Sequence, residues 1–468
     1  MVPSRVLSDS DLEKINLATL NILERVGLKL EHDQVRERLL AAGARPGAES
    51  DTVRFPREMV SEYLDLAPES VKLCGMGERQ WTVGPGQEQV FWTAAAMNLA
   101  GPQGHREFDR KELARLACLV DSLAHIDGVV GVSVKDVPPE FRDVAGFKEM
   151  VTNTGKHVRI LTFTPQGVEA ILEMAHVLLG DKTVKEHPIF SMGFTAHGPL
   201  RWTSLALDVY FRSAGHGIPV MVNGEPMAGG TSPVTLAGAL TVGNAEILGG
   251  IVLNQVLEPG RPCIHNLGFA HVMDMRTGVA VTGAPENCLL ACAGAQLAES
   301  YNLPSASWIS SDAMIADSQS AIEKTMAAIT HAASGVGIIW GAGTLESELS
   351  LSFAQLVIDN EIIGQVKRLL RGIRVEDETI AQELIEQIGP CGNFLGTEHT
   401  MEHFMEEVYE TDLFCRVQRE KWEEQGALAL QDAADKRAEE LIAVASPPQI
   451  SPEQMRELKK IEKRFIAN

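Results

Sequence analysis

The chain has 468 residues, 45% hydrophobic and 22% charged, which is typical of a folded globular protein and excludes a disordered or fibrous one. Lysine and arginine number 41 against 63 aspartate and glutamate, a formal charge of −22. Such a surface repels phosphate backbones and anionic lipids, so nucleic acid and membrane are poor candidate partners.

Cysteine usage and the start of the chain bear on its compartment. The seven cysteines include no C-x-x-C pair, and the N-terminus lacks the basic start and apolar block of a secretory signal. No apolar run in the sequence is evidently long enough to cross a bilayer. We therefore expect a cytoplasmic protein.

The predicted elements begin with two helices in residues 9–44, followed by a small mixed segment in 45–88. From residue 89, β-rich runs recur, and each is followed by a longer amphipathic segment, the pattern of βα units. The eight runs span residues 89–96, 128–137, 157–163, 188–196, 217–224, 262–270, 303–311 and 336–342.

Near-continuous apolar strands joined by helices indicate a parallel sheet covered on both faces. Eight units predict a closed (β/α)₈ TIM barrel rather than an open, doubly wound sheet. An open nucleotide-binding sheet would need a G-x-G-x-x-G turn, and glycine-rich stretches such as GEPMAGGTSP lack that spacing.

Residues beyond the last run are mostly helical, with a break at SPPQISP. The predicted division is an N-terminal helical and mixed extension (1–88), the barrel domain (89–415) and a C-terminal helical tail (416–468). The tail is interpreted as a solvated extension or an oligomer contact.

The active site of a TIM barrel lies at the carboxyl ends of its strands. Three of the six tryptophans, Trp92, Trp308 and Trp340, fall at comparable depth near these ends. Tryptophan faces that converge on one mouth suit a quaternary ammonium ion, although aromatic layers of a barrel core are the alternative. The amides of Asn223 and Asn266 could orient a polar tail such as a carboxylate, or serve as structural hydrogen bonders.

Two other chemistries are less favoured by the residues. Cys263 and His265 face the same side of a strand and precede His271, which could begin a zinc site, but no carboxylate or second cysteine stands at a suitable spacing. A core histidine is the better interpretation. Lys135 could form a Schiff base, but its acidic neighbours favour the charged ammonium and disfavour a nucleophilic amine.

Five segments carry a resemblance to a known family. They are GEPMAGGTSPVTLAGAL, GVAVTGAPENCLLACAGAQLAESYNLP, SSDAMIADSQSAIEK, QLVIDNE and GPCGNFLGTEHTMEHF. In this order they resemble the trimethylamine methyltransferase family, the MttB superfamily, over residues 10 to 420. The resemblance implies a (β/α)₈ barrel that moves a methyl group from a methylamine to the Co(I) of a separate corrinoid protein.

One departure from the family pattern bears on the substrate. Relatives that act on trimethylamine carry a pyrrolysine in or near the segment that matches SSDAMIADSQSAIEK, whereas this chain has ordinary residues between Asp312 and Asp317. It therefore resembles the branch without pyrrolysine, whose members use glycine betaine, proline betaine or carnitine. A quaternary ammonium already carries its charge, so the protein need supply only binding, orientation and desolvation.

The resulting prediction is a corrinoid-dependent methyltransferase that acts on a small quaternary amine, with glycine betaine first and dimethylglycine as its product. No catalytic side chain and no metal ligand is expected, and the corrinoid belongs to a partner protein. A homo-oligomer is expected. The alternatives are proline betaine, carnitine or another methylated amine as donor, or a betaine-binding protein without catalysis.

The predicted site has three groups of residues and one helix cap. The predicted cage for the cation consists of Trp92, Phe194, Trp308 and Trp340. The predicted partners of the carboxylate end are Asn223, Asn266 and His271. Asp312 is predicted to contact substrate. The rim facing the corrinoid would include Gly229, Gly230, Met314, Gly341 and Gly343. Asp317 is predicted to cap the helix that follows the seventh strand.

Overall fold

Each of the eight predicted β-rich runs contains one strand of a closed parallel barrel. The computed structural model describes residues 5–102, 104–162 and 164–467. The barrel strands are β1 (Val90–Thr93), β2 (Gly128–Val130), β3 (His157–Arg159), β4 (Phe190–Thr195), β5 (Val220–Asn223), β6 (Cys263–Asn266), β7 (Ser305–Trp308) and β8 (Ile338–Ala342).

A glycine allows β1 and β2 to pair within the closed barrel. Trp92 on β1 lies opposite Gly128 on β2. A Cβ atom at Gly128 would lie 2.8 Å from the Trp92 indole, so only glycine leaves room for the ring. The predicted (β/α)₈ barrel is confirmed.

Helices α4 to α11 each follow one barrel strand, as the βα pattern predicts. The described α-helices are α1 (Asp9–Arg25), α2 (Asp33–Ala41), α3 (Arg57–Leu64), α4 (Arg110–Ser122), α5 (Arg142–Asn153), α6 (Gly167–Leu179), α7 (Ser204–Ser213), α8 (Leu236–Leu257), α9 (Pro285–Ser300), α10 (Ser318–Ala333), α11 (Phe353–Arg371), α12 (Asp377–Ile380), α13 (Gln382–Ile388), α14 (Glu398–Glu407), α15 (Arg419–Glu424), α16 (Leu430–Val444) and α17 (Pro452–Ala467).

Short accessory strands close the two ends of the barrel. At the amino end, Val71–Cys74 and Gln80–Val83 form a hairpin whose Val71, Leu73 and Val83 pack into the barrel interior. At the carboxyl end, the loops after β5 and β6 contribute Met227–Ala228, His271–Met273 and Ala280–Val281 to one sheet. The loops after β1 and β8 contribute Asn98–Gly101, Gly104–Glu107, Thr344–Leu345 and Ser350–Ser352 to another. A fourth group, Leu28–Leu30, Arg45–Pro46, Thr52–Arg54 and Arg201–Trp202, lies in the N-terminal extension and the loop after β4.

Helix α8 contradicts the expectation that no apolar run is long enough to cross a bilayer. It is long and apolar enough to cross a membrane by length and composition, but 72% of its apolar window is buried inside the protein. It lies against β5 and β6 of the barrel and against α1 and α3 of the N-terminal extension. Its composition therefore fits a barrel helix that is covered on both sides.

The last two helices pack against the barrel wall rather than projecting from it. Ala434 and Ala438 of α16 are buried, and this helix contacts α4 and α11. Leu458 and Ile461 of α17 are buried on the side of α5 and α6. The stretch from residue 371 to 433, all of it described, contains no buried residue. The predicted domain boundaries stay predictions.

Candidate functional site

A cavity of about 180 Å³ lies at the carboxyl ends of the barrel strands. Its volume is below the range of roughly 300–1,000 Å³ usual for drug-sized ligands, so it suits a small molecule. The residues that line it come from strands or loops all round the barrel: Trp92, Ala95, Val130, Arg159, Leu161, Thr162, Gly193, Thr195, Met221, Phe269, Trp340 and Glu348.

Aromatic rings form one side of this cavity. Trp92, Phe269 and Trp340 line it, and Trp308 stacks on Trp340 with ring centroids 5.3 Å apart and planes 4° apart. Phe269 lies 4.8 Å from Trp340 and 5.7 Å from Trp308. Three of the four predicted cage residues are therefore brought together, with Phe269 as an additional member.

Trp92 is held in place by a buried histidine. Its ring stacks on His157 at 5.3 Å between centroids. His157 Nδ1 lies 2.8 Å from the carbonyl oxygen of Cys74, and Nε2 lies 2.9 Å from Ser191 Oγ. Burial lowers the pKa of His157 to about 4, so the imidazole is neutral; Nδ1 then donates to the carbonyl and Nε2 accepts from the hydroxyl.

A positively charged side chain enters the cavity from β3. Arg159 crosses β4 at Gly193, where a Cβ atom would lie 2.0 Å from Nη2, so the guanidinium lies directly on the glycine. Burial lowers the pKa of Arg159 to about 10, and the nearby carboxylate of Glu348 opposes that shift. The side chain therefore remains a cation at neutral pH.

A carboxylate enters the same cavity from the loop after β8. Burial, reinforced by repulsion from Glu225, raises the pKa of Glu348 to about 8, and Arg159 opposes the shift. The cavity thus holds one basic and one acidic side chain, and the acid changes its protonation state close to neutral pH.

Three consecutive residues of this loop have left-handed backbone conformations without being glycine. The φ angles of Glu346, Ser347 and Glu348 are 54°, 51° and 80°. Such strained backbone persists only where surrounding contacts hold it, and it concentrates at functional sites. Here Ser347 Oγ donates to Asp312 Oδ1 at 2.6 Å, and Glu346 lies 3.2 Å from His105 Nε2.

Asp312 holds this loop rather than lining the cavity. It accepts hydrogen bonds from the backbone N–H groups of Thr282 and Gly283 at 2.9 Å, from the Thr282 hydroxyl at 2.8 Å and from Ser347. The segment predicted to contact substrate therefore positions two neighbouring loops. Asp317 caps α10 through the backbone N–H groups of Gln319 and Ser320, as predicted.

The amides expected at a carboxylate end have protein partners. Asn266 Nδ2 donates to Asn223 Oδ1 at 2.7 Å, and Asn223 Nδ2 donates to Thr195 Oγ1 at 3.0 Å. Both asparagines are fully buried, and Asn266 Oδ1 also accepts from the backbone N–H of Gly268. His271 contacts the carbonyl oxygen of Phe269 at 2.6 Å. Of Asn223, Asn266, His271 and Arg159, only Arg159 lines the cavity.

Phe194 faces away from the cavity. Its ring stacks on Tyr210 of α7 at 4.0 Å, because Gly193 and Thr195 face inward and successive strand residues alternate. The structure therefore does not bring Phe194 to the other cage residues.

The predicted rim residues fall into two sets. Gly341 and Gly343 are buried, so they do not form an exposed face for a corrinoid. Gly341, with φ of 110°, lets β8 pass Trp308, since a Cβ atom there would lie 2.5 Å from Trp308 Cδ1. Gly229 is partly exposed, whereas Gly230 and Met314 are exposed, Met314 by 67%.

The residues considered for a zinc site and for a Schiff base do not line the cavity. Cys263 Sγ lies 3.7 Å from Gln255 Nε2, and His265 Nε2 lies 2.9 Å from Asn244 Oδ1, so both side chains face α8. Burial lowers the pKa of His265 to about 4. Lys135 is not among the residues that line the cavity.

A buried ion pair fixes the strand ends that carry Trp308 and Trp340. Lys324 Nζ donates to the carbonyl oxygens of Ile309 and Gly341 at 3.1 and 2.7 Å and lies 3.3 Å from Asp359 Oδ2. Replacing Lys324 with methionine leaves Asp359 as an unpaired buried carboxylate. We expect the free energy of unfolding to fall by about 3–5 kcal/mol, measured by urea denaturation.

An exposed pair gives the control for that variant. Arg419 and Glu423 lie 2.9 Å apart with side chains 77% and 55% exposed, so Arg419→Met should cost about 1 kcal/mol or less. Equal effects of the two substitutions would show that the Lys324 pair does not hold the strand ends.

Residues 1–467 match the profile of the family described as trimethylamine methyltransferase (MTTB). The chain belongs to the trimethylamine methyltransferase (MTTB) family. The predicted resemblance is thereby confirmed.

Relatives of this MTTB family member include two curated methyltransferases. The trimethylamine methyltransferase MttB of Desulfitobacterium hafniense (strain DSM 10664 / DCB-2) is 32% identical over 445 residues, 93% of this chain and 88% of the relative. The glycine betaine methyltransferase of Desulfitobacterium hafniense (strain Y51) is 29% identical over 456 residues, 96% of this chain and 94% of the relative. These relatives support methyl transfer from a methylated amine.

The fold is similar to a solved structure. The monomethylamine methyltransferase (MtmB) of Methanosarcina barkeri aligns with a TM-score of 0.52 at 15% identity, over 92% of this chain and 94% of that one. At that identity the likeness concerns the fold alone.

Proposed function

We propose that this MTTB family member transfers a methyl group from a small quaternary amine to the Co(I) of a corrinoid protein, with glycine betaine as the first substrate and dimethylglycine as the product. The observation that carries the proposal is the small cavity with Trp92, Phe269 and Trp340 on one side and the carboxylate of Glu348 on another. Aromatic faces and a nearby anion bind a quaternary ammonium through cation–π attraction and charge.

The reaction requires binding and orientation from the protein rather than acid–base chemistry. A methyl group leaves the positive nitrogen, the electron pair of the broken C–N bond stays on nitrogen, and the amine departs neutral. The corrinoid would supply the Co(I) nucleophile. Trp92 and Trp340 would hold the remaining methyl groups in a dry site, so that one N–CH₃ bond points out of the barrel.

The segment from Asp312 to Asp317 supports a substrate that arrives charged. The family resemblance implies a pyrrolysine in or near the segment that matches SSDAMIADSQSAIEK in relatives that act on trimethylamine, whereas residues 312–317 here are ordinary amino acids. Asp312 is instead engaged by Thr282, Gly283 and Ser347. No residue of this segment lines the cavity.

The rim of the cavity offers a place for a corrinoid protein. Gly230 is exposed, and Met275, Val279 and Met314 are exposed apolar side chains on loops after β5, β6 and β7. Apolar side chains and a glycine permit close approach of a flat macrocycle. We propose this rim as the face toward the partner.

The proposal also covers the cellular compartment and the oligomeric state of the protein. All seven cysteines are free, as expected in a reducing compartment, and we propose a cytoplasmic protein. We also propose a homo-oligomer, which sedimentation would test.

A cobalamin assay tests the function. The protein is mixed with Co(I) cobalamin, free or on a cognate corrinoid protein, and with glycine betaine, proline betaine, carnitine or trimethylamine, while methylcobalamin is followed optically. We expect methylcobalamin with glycine betaine and less with carnitine, whose longer tail needs more of a cavity of about 180 Å³.

The alternatives give different outcomes in the same assay. Methyl transfer only from proline betaine or carnitine would keep the chemistry and change the donor. Binding of betaine without methylation of cobalt in either form would favour a betaine-binding protein and overturn the proposal.

A further inference from the structure

The cavity contains two side chains of opposite charge that are not paired with each other. Arg159 and Glu348 both line it, and each influences the pKa of the other. Among the described residues, they form no ion pair within 4.0 Å with each other or with any other group. Both side chains are partly buried, and an unpaired charge in such a site is costly unless a ligand neutralises it.

From this arrangement we infer that Arg159 determines substrate specificity by binding a carboxylate of the substrate, so that the site selects a zwitterion with a short spacing between its ammonium and its carboxylate. The inference rests on the proposed function, because it assumes that the ammonium lies against Glu348 and the aromatic rings. It assigns the anionic end to a residue that the family resemblance did not supply.

The hydrogen bonds of Arg159 leave most of its donors available. Its one described hydrogen bond runs from Nη1 to the carbonyl oxygen of Ile160 at 3.2 Å. A guanidinium presents five N–H donors in a planar fork that matches both oxygens of a carboxylate. The remaining donors can therefore bind a carboxylate within the cavity.

The position of the guanidinium is fixed by the strands beneath it. Arg159 belongs to β3, and its Nη2, Cζ and Nε atoms all lie within 3.0 Å of where a Cβ of Gly193 would be. A side chain at residue 193 would displace the guanidinium, so glycine there keeps the group against the wall. A fixed donor fork loses less entropy on binding than a mobile one.

Charge and volume together define the ligand. A zwitterion places a positive group near Glu348 and a negative group near Arg159, and so neutralises both. A simple cation leaves Arg159 unpaired and meets repulsion from it. The volume of about 180 Å³ limits the distance between the two ends of the ligand.

A competing assignment of the anionic end is less consistent with the contacts. Asn266 donates to Asn223, Asn223 donates to Thr195, and Asn266 Oδ1 accepts from the backbone N–H of Gly268. Breaking this buried chain to bind a ligand would leave its members without partners. Arg159 needs no such rearrangement.

The test compares a zwitterion with a cation of similar head group. Calorimetry measures the affinities of glycine betaine and tetramethylammonium for the wild-type protein, Arg159→Met and Arg159→Lys. We expect Arg159→Met to weaken the binding of glycine betaine by roughly 30-fold or more. The binding of tetramethylammonium should be unchanged or tighter. Arg159→Lys should give an intermediate loss, because it keeps the charge but not the fork.

Controls separate this inference from the proposed function. Arg276→Met removes an exposed positive charge on the loop after β6 and should change neither affinity. Thermal melting confirms that each variant is folded. If Arg159→Met does not fold, the comparison of the two ligands is made with Arg159→Lys. Equal weakening of the binding of both ligands, or unchanged binding of glycine betaine, overturns the role of Arg159. The proposed function would still stand, because the protein would still bind a quaternary amine. If the wild-type protein binds neither ligand, the proposed function fails and the inference fails with it.

Discussion

Replacing Trp340 with alanine is expected to weaken the binding of a quaternary amine by about 30-fold or more. Trp340 lines the cavity, and its ring packs against the rings of Trp308 and Phe269. A desolvated cation–π contact contributes about 2 kcal/mol, and loss of the stack would also disturb the neighbouring rings. Titration calorimetry with glycine betaine measures the effect.

A second tryptophan provides the matched control. Trp202 is fully buried but lies outside the barrel interior, near Tyr210 and Gly250. Truncation of either tryptophan should lower the free energy of unfolding by about 3–5 kcal/mol, whereas only Trp340→Ala should weaken binding. Trp340→Phe keeps a ring face and should retain most of the affinity. Wild-type affinity in a folded Trp340→Ala variant would remove this ring from the site.

The affinity for a quaternary amine should rise with pH up to about pH 8. Burial and repulsion from Glu225 raise the pKa of Glu348 to about 8, so below that pH the group is largely a neutral acid and above it a carboxylate. If only the carboxylate binds the cation, affinity increases by about tenfold per pH unit below the pKa and is constant above it. Calorimetry in buffers of different ionisation heat should also detect release of a proton on binding.

Glu348→Gln should remove this pH dependence and hold affinity near the low value that the wild-type protein shows at acidic pH. The matched control is Glu346→Gln, which changes the same loop but affects a carboxylate that lies against His105 and Ser350. That variant should keep the slope. A slope that survives in Glu348→Gln would assign the titration to another group.

Stability supplies an independent check on the same substitution. The pKa of Glu348 is higher in the folded chain than its ordinary value of 4.5, so its contribution to stability is fully present below about pH 4.5 and is lost as the pH rises through 8. Glu348→Gln should therefore be at least as stable as the wild-type protein at pH 9. Its loss of affinity could not then be attributed to unfolding.

The barrel was predictable from the sequence because its strands are apolar on both faces. Each of the eight β-rich runs contains one strand, although the strands are shorter than the runs: the run at 128–137 contains only Gly128–Val130. The apolar residues continue from the strands into loops that pack under the accessory sheets. The composition therefore does not show where the pairing of barrel strands ends.

The orientation of side chains around the cavity was only partly predictable. Proximity to a strand end placed Phe194 with the tryptophans, but alternation along β4 turns it toward Tyr210. Arg159 gave a signal that could have been used, since it is the single charged residue within the strand segment HVRILTF. Glu348 gave no such signal, because its position depends on three left-handed residues in a loop.

The strained loop that carries Glu348 rests on residues 311–313, which follow β7. The backbone N–H of Ser347 donates to the carbonyl oxygen of Ser311, that of Glu346 donates to the carbonyl oxygen of Ala313, and Ser347 Oγ donates to Asp312. If the proposed function holds, the loop after β7 acts as scaffold for the loop that carries Glu348. A change in one of these neighbouring loops would then require a matching change in the other, rather than the exchange of one residue.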